Sequence, residues 1–118
     1  MSVAARFVVR LVACTLQTDA DEMLSGRRGT AEVARARQVA MYLLHTSLSV
    51  PYMDVADMFG RDRTTVSHAC RTIEDLRDDP MHDDMLLQLE EMVDLARSMS
   101  MAELRPGRGG AHSAFAQS

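Results

Sequence analysis

The sequence predicts an all-α protein, a small helical bundle built around a helix-turn-helix. A chain of 118 residues has room for one domain with a modest core. Its apolar residues recur at helical rather than strand spacing. The stretch Phe59 to Ile73 reads as the end of a short helix, a tight turn at Gly60, a cap at Asp62 and a second helix stopping before Pro80, over 63–78. In that second helix Val66, Ala69, Cys70, Ile73 and Leu76 define one buried face and leave Arg63, Thr64, Ser67, His68 and Arg71 outside. Cationic and hydrogen-bonding groups in a row, beginning at a helix N-terminus with free N–H groups, are what a reader of the DNA major groove needs. The plainer reading is a corner between two core helices whose outer residues are solvated.

In chain order, Val3 to about Gln17 is expected to form the first helix, with Phe7, Leu11 and Cys14, joined by Val8 and Val12, as its apolar side. Asp19 or Thr18 then caps a short turn, Ala20 to Leu24. Ser25-Gly26-Arg27-Arg28-Gly29-Thr30 is a flexible, cationic loop. A third helix, Ala31 to Thr46, places Val33, Ala36, Ala40, Leu43, Leu44 and Ser47 on the side that supports the recognition helix. Arg35, Arg37 and Gln38 lie near its start, and His45 is expected to be exposed. Ser49 is the expected N-cap of the fourth helix, with Pro51 in its first turn and Tyr52, Val55, Ala56 and Phe59 on one face. Small Ala56 permits close helix approach, and Gly60 supplies the positive φ of a sharp turn. Beyond Pro80, Met85, Leu86, Leu89, Met92, Val93, Ala96 and Met99 mark an amphipathic helix, 83–100, with an acidic outer face. It either closes the core or offers a Met-rich surface to a protein partner. The domain is taken as residues 1–102, followed by a disordered, Gly- and Ser-containing tail over 103–118.

Composition removes several function classes. All thirteen basic residues are Arg, so a P-loop, a Schiff-base lysine and a lysine general base are impossible in this chain. No constellation of nucleophile, base and orienter is visible, and the expectation is a protein that is not an enzyme and needs no cofactor or metal. His82-Asp83-Asp84 is too short a cluster for a metal site. Cys14 and Cys70 are expected as buried thiols, in no metal-like spacing. No apolar run is long enough to span a bilayer, so the expected location is the cytoplasm. Only five aromatics are present and none interleave with the arginines, which disfavours a single-strand reader. The net charge of −4 opposes nucleic-acid binding, but the charge is segregated. Residues 27–71 carry a balance of +3 and residues 74–103 one of −8.

The run Gly60 to Arg71 resembles the signature of the C-terminal DNA-binding domain of the bacterial chromosomal replication initiator DnaA. So do Ala34-Arg35-Ala36-Arg37-Gln38-Val39-Ala40-Met41-Tyr42-Leu43, similar to that domain's central helix, and Leu24-Ser25-Gly26-Arg27-Arg28, similar to its basic loop. The three blocks stand in the family's order over roughly residues 10–78. The resemblance implies the Trp-repressor-like helical fold, without the initiator's ATPase module. It implies that Arg28, or failing that Arg27, enters the minor groove beside the recognition helix. It also implies a phosphate contact by Arg37, with Gln38 a weaker candidate. Asp62, Arg63, Thr64, Thr65, His68 and Arg71 complete the expected DNA-facing set. Where most initiators have Asp-His-Thr-Thr this chain has Asp62-Arg63-Thr64-Thr65, and where they commonly carry two glycines it has Gly60 alone. Arginine favours guanine O6 and N7 or a phosphate, so the preferred sequence is expected to differ from the initiator's own. The expected function is sequence-specific binding of double-stranded DNA in the control of replication initiation or transcription. The alternative is an interaction adaptor that uses the acidic Met-rich helix.

Overall fold

The computed structural model describes residues 1–104, with six helices and no strand among them. They are α1 (Val3–Thr15), α2 (Ala20–Leu24), α3 (Ala31–Thr46), α4 (Tyr52–Phe59), α5 (Arg63–Leu76) and α6 (Pro80–Leu104). The expected tail lies outside the described residues from Arg105 onward, and α6 itself runs past 102 to Leu104.

Helix α3 is the centre of the bundle and packs against α1, α2, α4 and α5. It starts where the sequence places it because the Thr30 hydroxyl accepts from the Val33 N–H at 3.1 Å. Val33, Ala36, Val39, Ala40, Met41, Tyr42, Leu43 and Leu44 are all buried, so α3 is apolar nearly all round, as a helix surrounded by others must be. The small side chains of Ala36 and Ala40 leave space for α5, whose Val66, Ala69, Cys70 and Ile73 are buried.

Helix α1 meets the core through Ala5, Val8, Val9, Val12 and Ala13. Of the expected apolar side, Val8 and Val12 are buried and Leu11 is partly so, but Phe7 is 39% exposed and Cys14 is exposed. Two apolar stripes alternate on α1, and the compact Val and Ala stripe faces the core. Asp19 caps α2 by accepting from the Asp21 N–H at 2.8 Å, and Met23 of that short helix is fully buried.

The entry to α4 also differs from expectation. Ser49 has a φ of 59° and Pro51 is the N-cap, without a side-chain cap bond, so the helix begins at Tyr52. At its other end Gly60 is left-handed, with φ 64° and ψ 34°. The Arg61 N–H donates to the Ala56 carbonyl at 3.0 Å and the Gly60 N–H to that of Asp57 at 3.3 Å, the paired bonds of a Schellman ending. The chain thereby reverses into α5, whose cap is Asp62: its Oδ1 accepts from the Thr65 N–H at 2.9 Å.

Helix α5 stops at Leu76, two residues short of the expected end, and Leu76 is only partly buried. Its C-cap residue, Arg77, anchors α6. Nε donates to Asp83 at 2.6 Å, while Nη1 donates to Glu90 at 2.8 Å and to the Tyr42 hydroxyl at 3.1 Å. Leu86, Leu89 and Val93 of α6 are buried and Met85 packs partly buried against the core, whereas Met92 is 48% and Met99 66% exposed, so two of the three methionines expected on its core face stand outside. Among the described residues no helix is long and apolar enough to cross a membrane.

Candidate nucleic-acid interface

Two cationic surfaces come together beside the helix-turn-helix. On α5 the side chains of Arg63, Thr64, Thr65, His68 and Arg71 are exposed, with Asp62 exposed just before them. The Asp62 carboxylate is held below the usual range by hydrogen bonds from the Thr65 N–H and the Thr65 hydroxyl, the latter at 3.0 Å. The Thr65 hydroxyl proton is therefore committed to the cap, while the side chains of Thr64 and His68 make no hydrogen bond among the described residues. Arg63 is exposed and its Cζ lies 5.7 Å from the centroid of the Tyr52 ring.

The second surface is the loop between α2 and α3. Positive φ values at Gly26 (82°) and Gly29 (72°) turn the chain tightly, and Arg27 and Arg28 between them are exposed. The loop is held by its backbone. Arg37 reaches it from α3: Nε donates to the Met23 carbonyl at 2.8 Å, and Nη2 to Glu22 at 3.2 Å and Arg27 at 2.9 Å. A longer bond, 3.4 Å, runs from Nη1 to the Arg28 carbonyl. Arg37 is accordingly 5% exposed. The resemblance implies a phosphate contact for this residue; here four of its donors go to carbonyls of α2 and the loop, and almost none of it reaches the surface. Gln38, next to it, is half-buried.

Arg61 joins the two surfaces. Its Nη2 donates to the Arg27 carbonyl at 3.0 Å, so the residue just before the α5 cap grips the loop that projects Arg27 and Arg28. Burial, and then the charge of Arg61, lower the affinity of Arg37 for its proton, though a guanidinium starts high enough for Arg37 to stay cationic. Among the described residues neither pairs with a carboxylate, and the buried Nε of Arg61 has no hydrogen-bond partner. Arg61 has no sequence signal for this role beyond its place beside the Asp62 cap. The burial of Arg37 does have one, since its spacing from Val33, Ala40 and Leu44 puts it on the apolar stripe of α3.

No group of three metal-binding side chains exists among the described residues. Of the acidic-histidine cluster after Pro80, Asp83 is taken by Arg77 and His82 Nδ1 pairs with Asp79 at 2.6 Å.

A central helix, a Gly-hinged helix pair with a polar, cationic second helix, and a basic loop clamped beside it define a helix-turn-helix domain of the DNA-binding kind. Residues 5–73 match the family described as the bacterial dnaA protein helix-turn-helix, and the chain belongs to that family. It is 42% identical over 90 residues to the chromosomal replication initiator protein DnaA of Rhodopseudomonas palustris strain BisB18, a match covering 71% of this chain and 19% of that protein. The corresponding protein of Nitrobacter hamburgensis is also 42% identical over 90 residues, with the same coverage. That of Sphingopyxis alaskensis is 45% identical over 71 residues, covering 59% of this chain and 16% of the relative. The chain therefore spans less than a fifth of the length of these curated relatives.

Proposed function

We propose that this chain binds double-stranded DNA in a sequence-specific manner, with α5 in the major groove and the Arg27–Arg28 loop in the adjacent minor groove. It does so in the cytoplasm, in the control of replication initiation or transcription. The observation that carries this reading is the clamp of Arg37 and Arg61 on the loop backbone, which fixes the loop relative to the start of α5. Two elements meant to enter neighbouring grooves need such a fixed spacing. Charge supports it further. Among the described residues Arg27, Arg28, Arg35, Arg63 and Arg71 form no ion pair, so they remain available to phosphates and bases.

In this reading Arg28, with Arg27 beside it, senses groove width, and Thr64 and His68 meet base edges one helical turn apart. Arg71 and Arg35 contact phosphates. Asp62 and Thr65 shape the start of α5, with Gln38 at the margin. Arg37 acts from beneath the surface by setting the loop. The acidic outer face of α6 limits indiscriminate binding by repelling phosphates. A protein partner, the second reading, would use the exposed Leu87, Met92, Leu95 and Met99 of α6.

The test is a selection from random duplex DNA at two salt concentrations. The parent chain is run beside Thr64→Ala/His68→Ala and Arg71→Ala. The proposal expects an enriched motif that the first variant degrades at particular positions, and that the second weakens evenly with a shallower salt dependence. Absence of any motif in the parent would move the search to partners of α6.

A further inference from the structure

Arg63 stands at the head of the recognition helix, where the resembling initiators commonly carry histidine. An arginine at an exposed helix start has many rotamers to lose when it binds. In this chain the guanidinium already has a seat. Its Cζ lies 5.7 Å from the Tyr52 ring centroid, within cation–π range. Tyr52 is half-buried and stacks in turn on His45, with centroids 4.1 Å apart and planes inclined by 26°. The imidazole is fixed as well, because its Nδ1 lies 2.9 Å from the Val50 carbonyl and must carry the proton to donate there. Residues from the end of α3, the start of α4 and the start of α5 thus form one column.

The chemistry of the column decides what it can do. Tyr52 engages the π-face of the aromatic contact and makes no demand on the N–H donors of Arg63. Among the described residues none of those donors is hydrogen-bonded, and the neighbouring Asp62 is occupied by Thr65. A planar cation held without use of its donors retains the fork that matches guanine O6 and N7.

Resting on the DNA-binding reading above, we propose that Tyr52 is a positioning residue for Arg63, and that the His45–Tyr52–Arg63 column presents Arg63 to a single guanine facing the start of α5. Tyr52 then helps to set sequence preference through Arg63.

The experiment is duplex selection and binding with the full chain, comparing the parent with Arg63→Ala, Tyr52→Phe, Tyr52→Leu and Tyr52→Leu/Arg63→Ala. Circular dichroism and unfolding midpoints verify that each variant folds, with Tyr52→Phe as the variant that keeps the ring. Arg63→Ala should lose guanine at one position and weaken binding to the selected site by about 5- to 150-fold. Tyr52→Leu should weaken discrimination at that same position by about 2- to 5-fold, Tyr52→Phe should preserve it, and the double variant should match Arg63→Ala. The proposal is overturned if Arg63→Ala weakens all duplexes alike, the mark of a phosphate contact. It is equally overturned if Tyr52→Leu leaves the guanine preference intact or if the two losses multiply. Those results leave the parent's motif, and so the DNA-binding reading, standing. A parent that enriches no motif removes that reading and this inference together.

Discussion

Arg37 and Arg61 donate to the same acceptor, the carbonyl oxygen of Arg27, at 2.9 and 3.0 Å. Two like charges converge there because the carbonyl dipole is the local negative pole, and among the described residues no carboxylate pairs with either. Arg37→Met keeps much of the packing volume but leaves the buried Met23 carbonyl without its side-chain donor and takes one donor each from Glu22 and Arg27, which keep Ser25 and Arg61. A loss of about 2–3 kcal/mol is expected in urea unfolding. Arg61→Met removes the repulsion along with one bond, and its expected change in stability is within about 0.5 kcal/mol. Both should weaken DNA binding on every sequence, since both release the loop. Equal destabilisation by the two substitutions would contradict this division of roles.

The left-handed Gly60 sets the angle between α4 and α5. An added Cβ would meet nothing within 4 Å, so any penalty comes from the backbone alone. Gly60→Ala should cost about 1–2 kcal/mol, and Gly60→Asn less, because asparagine tolerates this conformation. Thermal unfolding of the three proteins gives the order directly. An alanine variant as stable as the parent would show that the turn relaxes.

Acid should weaken the cap of α5 through Asp62. The Thr65 N–H and hydroxyl stabilise its carboxylate, so its folded pKa lies below the unfolded value, about 3.9. Stability from this group is complete above the unfolded value and is lost as pH falls through the folded one. Asp62→Asn keeps an acceptor for the cap but cannot titrate. Parent and variant are therefore expected to differ most near neutral pH, and the gap between their urea midpoints should close below about pH 4. A gap that stays constant down to pH 2 would rule out Asp62 as the titrating group.

The two thiols should respond oppositely to alkylation. Cys70 is buried against α3, and burial pushes its pKa up to about 11, while Cys14 is exposed. With iodoacetamide at pH 8, mass spectrometry should show one rapid adduct on Cys14, with Cys70 modified only after denaturant is added. Rapid labelling of both would mean that α5 opens from the bundle on the labelling timescale.

Much of this architecture was legible because its signals are local. Thr30 and Asp62 sit where caps are needed, the spacing from Val66 to Ile73 gives the buried side of α5, and Gly60 marks the turn. What escaped depends on partners remote in sequence. Nothing near Arg37 announces the carbonyls it bonds, although its position on an apolar stripe is a usable clue. The facing of α1 is ambiguous in sequence because Phe7, Leu11 and Cys14 recur at helical spacing just as Ala5, Val8 and Val12 do, and only packing against α3 chooses between them. His45 and Tyr52 carry no recognisable motif. Their stacking arises from the route of the chain through the positive φ of Ser49.

The loop between α2 and α3 is gripped through main-chain oxygens, which every residue possesses. Holding the loop and choosing its side chains are consequently separate tasks: Arg27 and Arg28 can be exchanged while Arg37 and Arg61 maintain the same frame. Positions 27 and 28 therefore form a socket whose side chains can change by single substitutions, without a second change to restore folding.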